Sequence, residues 1–204
     1  MLTGLLLAIF LITAAMLFSK GSLWDNLWAW INVILAGLLA TQYFEPLAEW
    51  LSEGGTRNYH WYWDMLSFWG IYCVAVTILR MFCEAFSPLR IKFRVPVEMT
   101  GRAIFALLAG WTLMCISAFS LHMAPTEMTA WGGAFMENPD DETIFGSDVL
   151  WMAFAHKMSD PDAGPLSIDK DHQFDAEGLY RVKYGLRRYR FQHLKGSMGQ
   201  SPKP

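Results

Sequence analysis

The sequence contains little charge and few cysteines. Aspartate, glutamate, lysine and arginine make up 17% of its 204 residues, against the roughly 25% that is usual for soluble domains. The net charge is only −3 and no basic run stands out, so we expect no nucleic-acid partner. The three cysteines form no C-x-x-C pair, which argues against a disulfide framework or a zinc site. We interpret them as small buried apolar side chains.

Motifs of catalysis and metal binding are also missing. The five histidines show no H-x-x-x-H or H-x-x-E-H spacing, and there is no G-x-S-x-G. Asp169, Asp171, His172 and Asp175 could hold a metal loosely, but a solvated acidic loop is the simpler interpretation. We therefore expect no enzyme activity, no cofactor and no metal site.

Long uncharged runs, in contrast, are abundant. The chain is 53% hydrophobic, and a helix needs about 20 apolar residues to cross a bilayer core of roughly 30 Å. Tryptophan and tyrosine gather at the ends of several runs, as they do at membrane interfaces. The sequence predicts an all-α integral membrane protein with four transmembrane helices, at approximately residues 2–19, 24–44, 61–82 and 103–123.

The first run lacks the basic start and the small-x-small cleavage site of a signal peptide. We therefore expect a retained helix, followed by a turn at Lys20-Gly21-Ser22. Asp64 and Arg80 bracket the third run and lie about 24 Å apart along one helix, so they cannot meet within it. We interpret both as interface charges, and Arg80 can instead pair with Glu84 at i+4.

The predicted transmembrane domain covers residues 1–125, and residues 126–204 form a polar, partly disordered C-terminal tail with short amphipathic segments. The longest apolar run of the tail, 149–155, is too short to span a membrane. Ser147-Asp148 is a plausible N-cap for a short helix there. The final residues, from Gly196 onwards, have the composition of a disordered segment.

A second tail segment, residues 175–195, is basic and aromatic. It fits either a helix or a short strand from Tyr180 to Leu186, and periodicity does not decide between them. In the helical case one face would carry Leu179, Val182, Leu186 and Tyr189.

Small residues recur at helical spacing in the second and fourth predicted helices. In lipid, helices associate by close backbone approach and interhelical hydrogen bonds. We predict that the two stripes face each other, within one chain or across a homo-oligomer, although a lipid-facing surface of small residues would give the same pattern. The predicted packing residues are Ala29, Asn32, Ala36 and Ala40 in the second helix, and Ala103, Ala106, Gly110 and Ser117 in the fourth.

The segment 89–97, L-R-I-K-F-R-V-P-V, alternates apolar with basic residues. Period two and Pro96 favour an extended, edge-like segment. We predict that it lies in the membrane interface, where Arg90, Lys92 and Arg94 would contact anionic lipid headgroups. A strand packed on the protein, or a docking edge for a cytoplasmic partner, remains the alternative.

The distribution of basic residues predicts the topology. Four helices place the loops at 20–25 and 84–102 on one side, with Lys20, Arg90, Lys92, Arg94 and Arg102. The other side holds both termini and the loop at 45–60, with only Arg57 near the membrane. By the positive-inside rule, the first side is cytoplasmic and both termini lie outside.

The arrangement resembles the colicin V production protein family over about residues 1–125. Lys20-Gly21 matches a basic residue followed by glycine, and L-L-A-T-Q-Y-F-E-P-L-A-E-W-L at 38–51 is similar to the family's small and aromatic run. Glu98-Met-Thr-Gly-Arg102, leading into the helix with Gly110, resembles its charged start of the fourth helix. The family often has an Asp-Arg pair and a further helix-four glycine, where this chain has Glu98, Arg102 and Ala106.

The resemblance implies a bacterial inner-membrane protein linked to toxin production or secretion and to envelope maintenance. It implies no catalytic residues. We therefore expect a membrane accessory or scaffold protein whose partners are the lipid bilayer and other membrane proteins. The alternative is a small channel or transporter subunit, for which the polar candidates are Asn32, Gln42, Thr77, Thr112 and Ser117; helix-packing hydrogen bonds explain these equally well.

Overall fold

A computed structural model describes residues 2–54, 62–86, 94–126, 146–160, 164, 174–175 and 177–199, with the backbone alone at 54, 86 and 194–199. All regular structure in these ranges is helical. The helices are α1 (Leu2–Lys20), α2 (Leu23–Gly54), α3 (Trp63–Phe86), α4 (Val95–Leu121), α5 (Ser147–Met158) and α6 (Tyr180–Gly199).

The first four helices are long and apolar enough to cross a membrane. The prediction of an all-helical fold with four helices able to span a membrane is confirmed for the described residues. Helix α4 packs between α1 and α2, and α2 packs in turn against α3. The outer face of α1 carries exposed Leu11, Ile12 and Met16, which is the surface expected where a helix faces lipid.

Two of the predicted helix boundaries are wrong. Helix α2 does not end near Phe44 but continues through Pro46 to Gly54. Spanning helices tolerate proline because neighbouring groups satisfy the freed backbone. At about 48 Å, α2 is also longer than the roughly 30 Å bilayer core.

Helix α4 begins at Val95 rather than near residue 103. Pro96 lies in its first turn, where the missing N–H has no helical acceptor to lose. The predicted extended conformation is therefore wrong for 95–97, while residues 89–93 lie outside the described part of the chain.

The tail contributes to the same hydrophobic core as the bundle. Buried Trp151 and Met152 of α5 and Tyr184 of α6 join a cluster that includes Phe44, Phe68 and Phe119 from the spans. Phe119 packs edge-on against Phe174, with ring centroids 5.8 Å apart, and stacks on Tyr180 at 4.9 Å. The change in composition near residue 125 therefore does not separate two cores.

Candidate functional site

The small residues predicted to pack are all at least partly buried, but two of them, Gly110 and Asn32, contact helices other than the one expected. Ala36, Ala40, Ala106, Gly110, Asn32 and Ser117 are buried, and Ala29 and Ala103 are half-buried. A Cβ on Gly110 would lie 2.9 Å from the carbonyl oxygen of Phe10 and 3.4 Å from Ala14 Cβ. Gly110 thus meets α1 rather than α2, which corrects that part of the prediction. Asn32 contacts α3, where the Cys83 thiol lies 3.5 Å from its Oδ1.

Helix α2 also approaches its neighbours closely at Gly37, which the stripe prediction missed. A Cβ at this position would lie 2.6 Å from Ile116 Cδ1 of α4 and 2.7 Å from the Trp151 ring of α5. The Trp151 indole N–H donates to Thr41 Oγ1 at 3.1 Å. Gly37, Thr41 and the tail residue Trp151 together form a joint between α2, α4 and α5.

The three basic residues predicted to contact lipid headgroups are described only in part. Arg90 and Lys92 lie outside the described residues. Arg94 is exposed and stands at the N-cap of α4, in extended conformation.

The turn between α1 and α2 is held by reciprocal capping. The Ser22 hydroxyl accepts from the Asp25 N–H at 3.1 Å, and the Asp25 carboxylate accepts from the Ser22 N–H at 3.2 Å. This is the capping-box arrangement, which satisfies two free donors at a helix start. Gly21 is required here because a Cβ would collide with the amide oxygen of Asn26.

The start of α4 binds this turn. Glu98 Oε1 accepts from the Leu23 N–H at 2.8 Å, which places a carboxylate at the positive end of α2. The Asn26 amide donates to the Arg102 carbonyl at 3.1 Å, and Gly101 lies directly against Leu23. The charged, glycine-containing segment 98–102 therefore contacts the first turn of α2, directly after Lys20-Gly21. We call Gly21, Asn26, Glu98, Gly101 and Arg102, with Leu23, the α2–α4 junction.

At the opposite end of the bundle, α6 docks through one polar and aromatic face. Lys183 pairs with Glu45 of α2 at 2.7 Å. Arg187 pairs with Asp64 at the start of α3, and the Tyr184 hydroxyl donates to the same carboxylate at 2.8 Å. The partners of Asp64 therefore come from the tail, which the sequence did not show. We call Glu45, Asp64, Lys183, Tyr184, Arg187 and Arg188 the tail-docking cluster.

Arg188 caps the C-terminal end of α4. Its guanidinium donates to the carbonyl oxygens of Leu121 and His122, each at 2.9 Å. These are carbonyls that a helix leaves unbonded at its C-terminus. Beside them, His122 Nε2 lies 2.8 Å from Asp148 Oδ2, and both side chains are buried. Asp148 thus anchors the start of α5 to the residue that follows α4.

Burial in the docked tail changes the acidity of its groups. Loss of water around the guanidinium lowers the pKa of Arg188 to about 10. Burial, and the neighbouring Asp64 carboxylate, raise the pKa of Tyr184 well above its usual value. Burial likewise raises the pKa of Tyr180. At neutral pH Arg188 is therefore charged and both hydroxyls are protonated.

Helix α6 buries the face opposite to its apolar residues. The helix exists, which decides between the helix and strand interpretations, but Leu179, Val182, Leu186 and Tyr189 are about half-exposed. Tyr180, Tyr184 and Arg188 are buried instead. Helix α6 continues through Gly199, so the expected disorder from Gly196 does not hold for 196–199, and 200–204 lie outside the described residues.

The remaining polar predictions have plain outcomes. Arg80 pairs with Glu84 at 3.0 Å, as expected at i+4. Asp175 caps α6 by accepting from the Tyr180 N–H at 3.0 Å, while Asp169, Asp171 and His172 lie outside the described residues. Within the described ranges, histidine, cysteine and carboxylate side chains form no group of three or more that could hold a metal ion.

The chain was compared with models of protein families, with curated proteins and with solved structures. None of the three comparisons gives a match.

Proposed function

We propose that this protein is a multi-pass inner-membrane accessory or scaffold protein without catalytic activity. The resemblance to colicin V production proteins implies a role in toxin production or secretion and in envelope maintenance. The proposal places the α2–α4 junction on the cytoplasmic side and the docked tail outside.

The proposal rests on where the charged residues of the four long helices lie and on what they bind. Long stretches without charge, at 26–44, 65–79 and 103–121, fill the middle of α2, α3 and α4. Two charged groups beyond these stretches bind other parts of the same chain: Glu98 accepts from the Leu23 N–H at the start of α2, and Asp64 pairs with Arg187 of α6. Transport sites, in contrast, place ionisable groups near the middle of the membrane.

The docked tail gives such a protein a fixed contact surface. Because Tyr184 and Arg188 hold α6 against the bundle, the opposite face of the helix points away from it. That face presents Leu179, Val182, Leu186 and Tyr189 as an exposed apolar stripe. An apolar stripe at helical spacing is suited to contact another protein, and here the partner would be a second membrane protein.

A flux assay separates this proposal from its alternative. Purified protein in liposomes should leave ion and proton permeability at the level of empty vesicles. Flux that rises with protein density would contradict the accessory role and favour a channel or transporter.

A complementation test in the native host examines whether the exposed apolar stripe of α6 is needed for function. In a deletion strain, the wild-type gene should restore resistance to envelope stress, whereas Leu186→Glu should not, at equal amounts in the membrane. Gln192→Glu is the control, because this exposed position lies off the stripe. Full rescue by Leu186→Glu would remove the stripe from the proposal.

A further inference from the structure

Helix α3 exposes one face along almost its whole length. The helix packs mainly on α2, so the opposite face lies at the outside of the bundle. Exposed residues recur on that face at alternating spacings of four and three, the period that keeps two helices in contact over many turns. We call this row the α3 seam, and its members are Leu66, Gly70, Cys73, Thr77, Arg80 and Glu84.

The middle of the α3 seam differs from a surface shaped for lipid. The outer face of α1 carries large apolar side chains such as Leu11 and Met16. The seam instead carries Gly70, Cys73 and Thr77 over two turns, and Cys73 is exposed, in contrast to the burial expected from sequence. Small side chains at helical spacing are typical of faces where a second helix approaches closely in lipid.

Gly70 meets no neighbour in the part of the chain that the structure describes. A Cβ at Gly37, Gly101 or Gly110 would come within 2.9 Å of another helix or closer, whereas a Cβ at Gly70 has nothing within 4 Å. Glycine weakens a helix relative to alanine. The close contacts that require glycine elsewhere in the bundle therefore do not explain Gly70, and a helix from outside the chain would.

Arg80 and Glu84 make the seam complementary to itself in charge. Their side chains pair at 3.0 Å and remain 74% and 67% exposed. Because the pair is neutral overall, it offers no net charge to anionic lipid headgroups. A second α3 running in the same direction presents both signs at the same depth, so that each guanidinium lies between two carboxylates.

The seam can also be covered without leaving a hydroxyl donor unpaired. Thr77 Oγ1 donates to the Cys73 carbonyl at 2.7 Å within the same helix. An approaching backbone therefore meets a small side chain whose proton is already bonded, and burial of a free donor, which would oppose association, is avoided.

We propose that the α3 seam is the interface of a homodimer in the membrane. Both copies insert with the same orientation, so the two-fold axis is parallel to the membrane normal and the two α3 helices run parallel. In such an interface each seam residue lies close to its own counterpart. Arg80 of each copy then lies beside Glu84 of the other. The dimer depends on α3 and not on the accessory role or on the apolar stripe of α6.

Disulfide crosslinking in native membranes tests this interface with a cysteine that the chain already has. In the Cys83→Ala/Cys115→Ala variant, mild oxidation should join Cys73 of two copies into a product of twice the chain mass. A product of any other mass shows a different partner on the seam and overturns the proposal. Absence of a product, at normal amounts in the membrane, shows that lipid covers the seam and overturns it as well.

A matched pair of cysteines locates the interface. Cys73→Ala is added to the same background, followed by either Thr77→Cys on the seam or Ile78→Cys. Ile78 is 47% exposed at the same depth, but it points about 100° away from Thr77 around the helix. Thr77→Cys should form the crosslinked dimer and Ile78→Cys should remain monomeric. Equal crosslinking of the two, or crosslinking of Ile78→Cys alone, overturns the placement.

A bulky side chain in the seam tests the close approach. Gly70→Leu should weaken dimerisation in liposomes by about ten-fold or more, as overpacking of a tight contact does. Alanine at this position is still small, so leucine is the informative change. Ala15→Leu, on the exposed face of α1, should leave dimerisation unchanged.

Energy transfer between labelled copies at increasing lipid dilution measures both variants. Because Gly70 faces open space within one chain, thermal unfolding should show that the Gly70→Leu monomer remains folded. Undiminished dimerisation of Gly70→Leu, or equal weakening by Ala15→Leu, contradicts an interface at the α3 seam.

Discussion

Gly37 has no room for a side chain, because Ile116 of α4 and the Trp151 ring of α5 occupy the space beside it. Gly70 on α3, in contrast, has nothing within 4 Å of where its Cβ would be. The two glycines therefore allow the same substitution to be compared in a filled and in an open environment.

Gly37→Ala should destabilise the protein by about 1–3 kcal/mol, the usual range for overpacking. Gly70→Ala should be neutral or stabilising by up to about 1 kcal/mol, because alanine is the better helix former. Thermal unfolding in one detergent measures both changes. Equal midpoints for the two variants would show that α5 does not pack at Gly37.

Gly110 provides a second residue-scale prediction, at the contact between α1 and α4. Gly110→Leu should sharply reduce accumulation of the protein, because the Phe10 carbonyl lies 2.9 Å from the substituted position. Ile104→Leu is the control, since Ile104 is exposed on the same helix. Western blots of membrane fractions measure both, and similar amounts of the two variants would be incompatible with the close approach.

At the scale of elements, α6 is attached by ion pairs of unequal burial. The side chains of Arg187 and Asp64 are only 19% and 16% exposed, against 58% and 46% for Lys183 and Glu45. Charge-assisted hydrogen bonds in partly buried sites contribute about 1.5–3 kcal/mol, and exposed pairs about 0–1 kcal/mol.

A pair of double-mutant cycles tests this difference. Asp64→Asn and Arg187→Gln, alone and combined, should show a coupling energy above 1 kcal/mol in the exchange of α6 amide hydrogens for deuterium. The corresponding cycle with Glu45→Gln and Lys183→Gln should show about 0.5 kcal/mol or less. Comparable coupling in both cycles would mean that burial does not set the strength of docking.

Local pattern was sufficient to predict the four spans and insufficient to predict α6. A span is a local property, because length and lack of charge suffice to identify it. The buried face of α6 depends instead on carboxylates and carbonyls that lie 66 to 138 residues away in the chain. Because that surface combines carboxylates and carbonyls with aromatic rings, Tyr184 and Arg188 are buried and the apolar stripe is left exposed, against the usual periodic rule.

The α2–α4 junction was predictable only in part. The motifs at Lys20-Gly21 and Glu98 were identified from sequence, but nothing in their spacing showed that Glu98 caps α2. The small-residue stripes identified residues that are buried. They did not identify partners, since a stripe shows that a helix can approach closely and not which neighbour it approaches.

At the scale of the whole molecule, the fold places the α2–α4 junction and the docked tail at opposite ends of the bundle. Among basic residues within about 20 positions of a span, Lys20, Arg94 and Arg102 lie at the junction end. Lys183, Arg187 and Arg188 of the docked tail lie at the other end, but they follow α4 only after a long stretch of chain and count little in this rule. The positive-inside rule then predicts that the tail lies outside.

Reporter fusions test this orientation. A periplasm-active enzyme fused after Pro204 should be active, and a reporter active only in the cytoplasm should be silent there. Fusions after Ser87 should show the reverse, which controls for expression. Cytoplasmic activity at Pro204 would overturn the assignment and place the tail-docking cluster inside the cell.

The burial of tail aromatics among the spans has a consequence for how the protein is made. Translation delivers the four spans first, and at that stage Phe119 still lacks its neighbours Phe174 and Tyr180. The newly inserted bundle is therefore an incomplete intermediate, with the end of α4 uncapped until Arg188 arrives. If the tail lies outside, export of this segment is a step in folding, and chains stalled before export should be preferred substrates for membrane proteases.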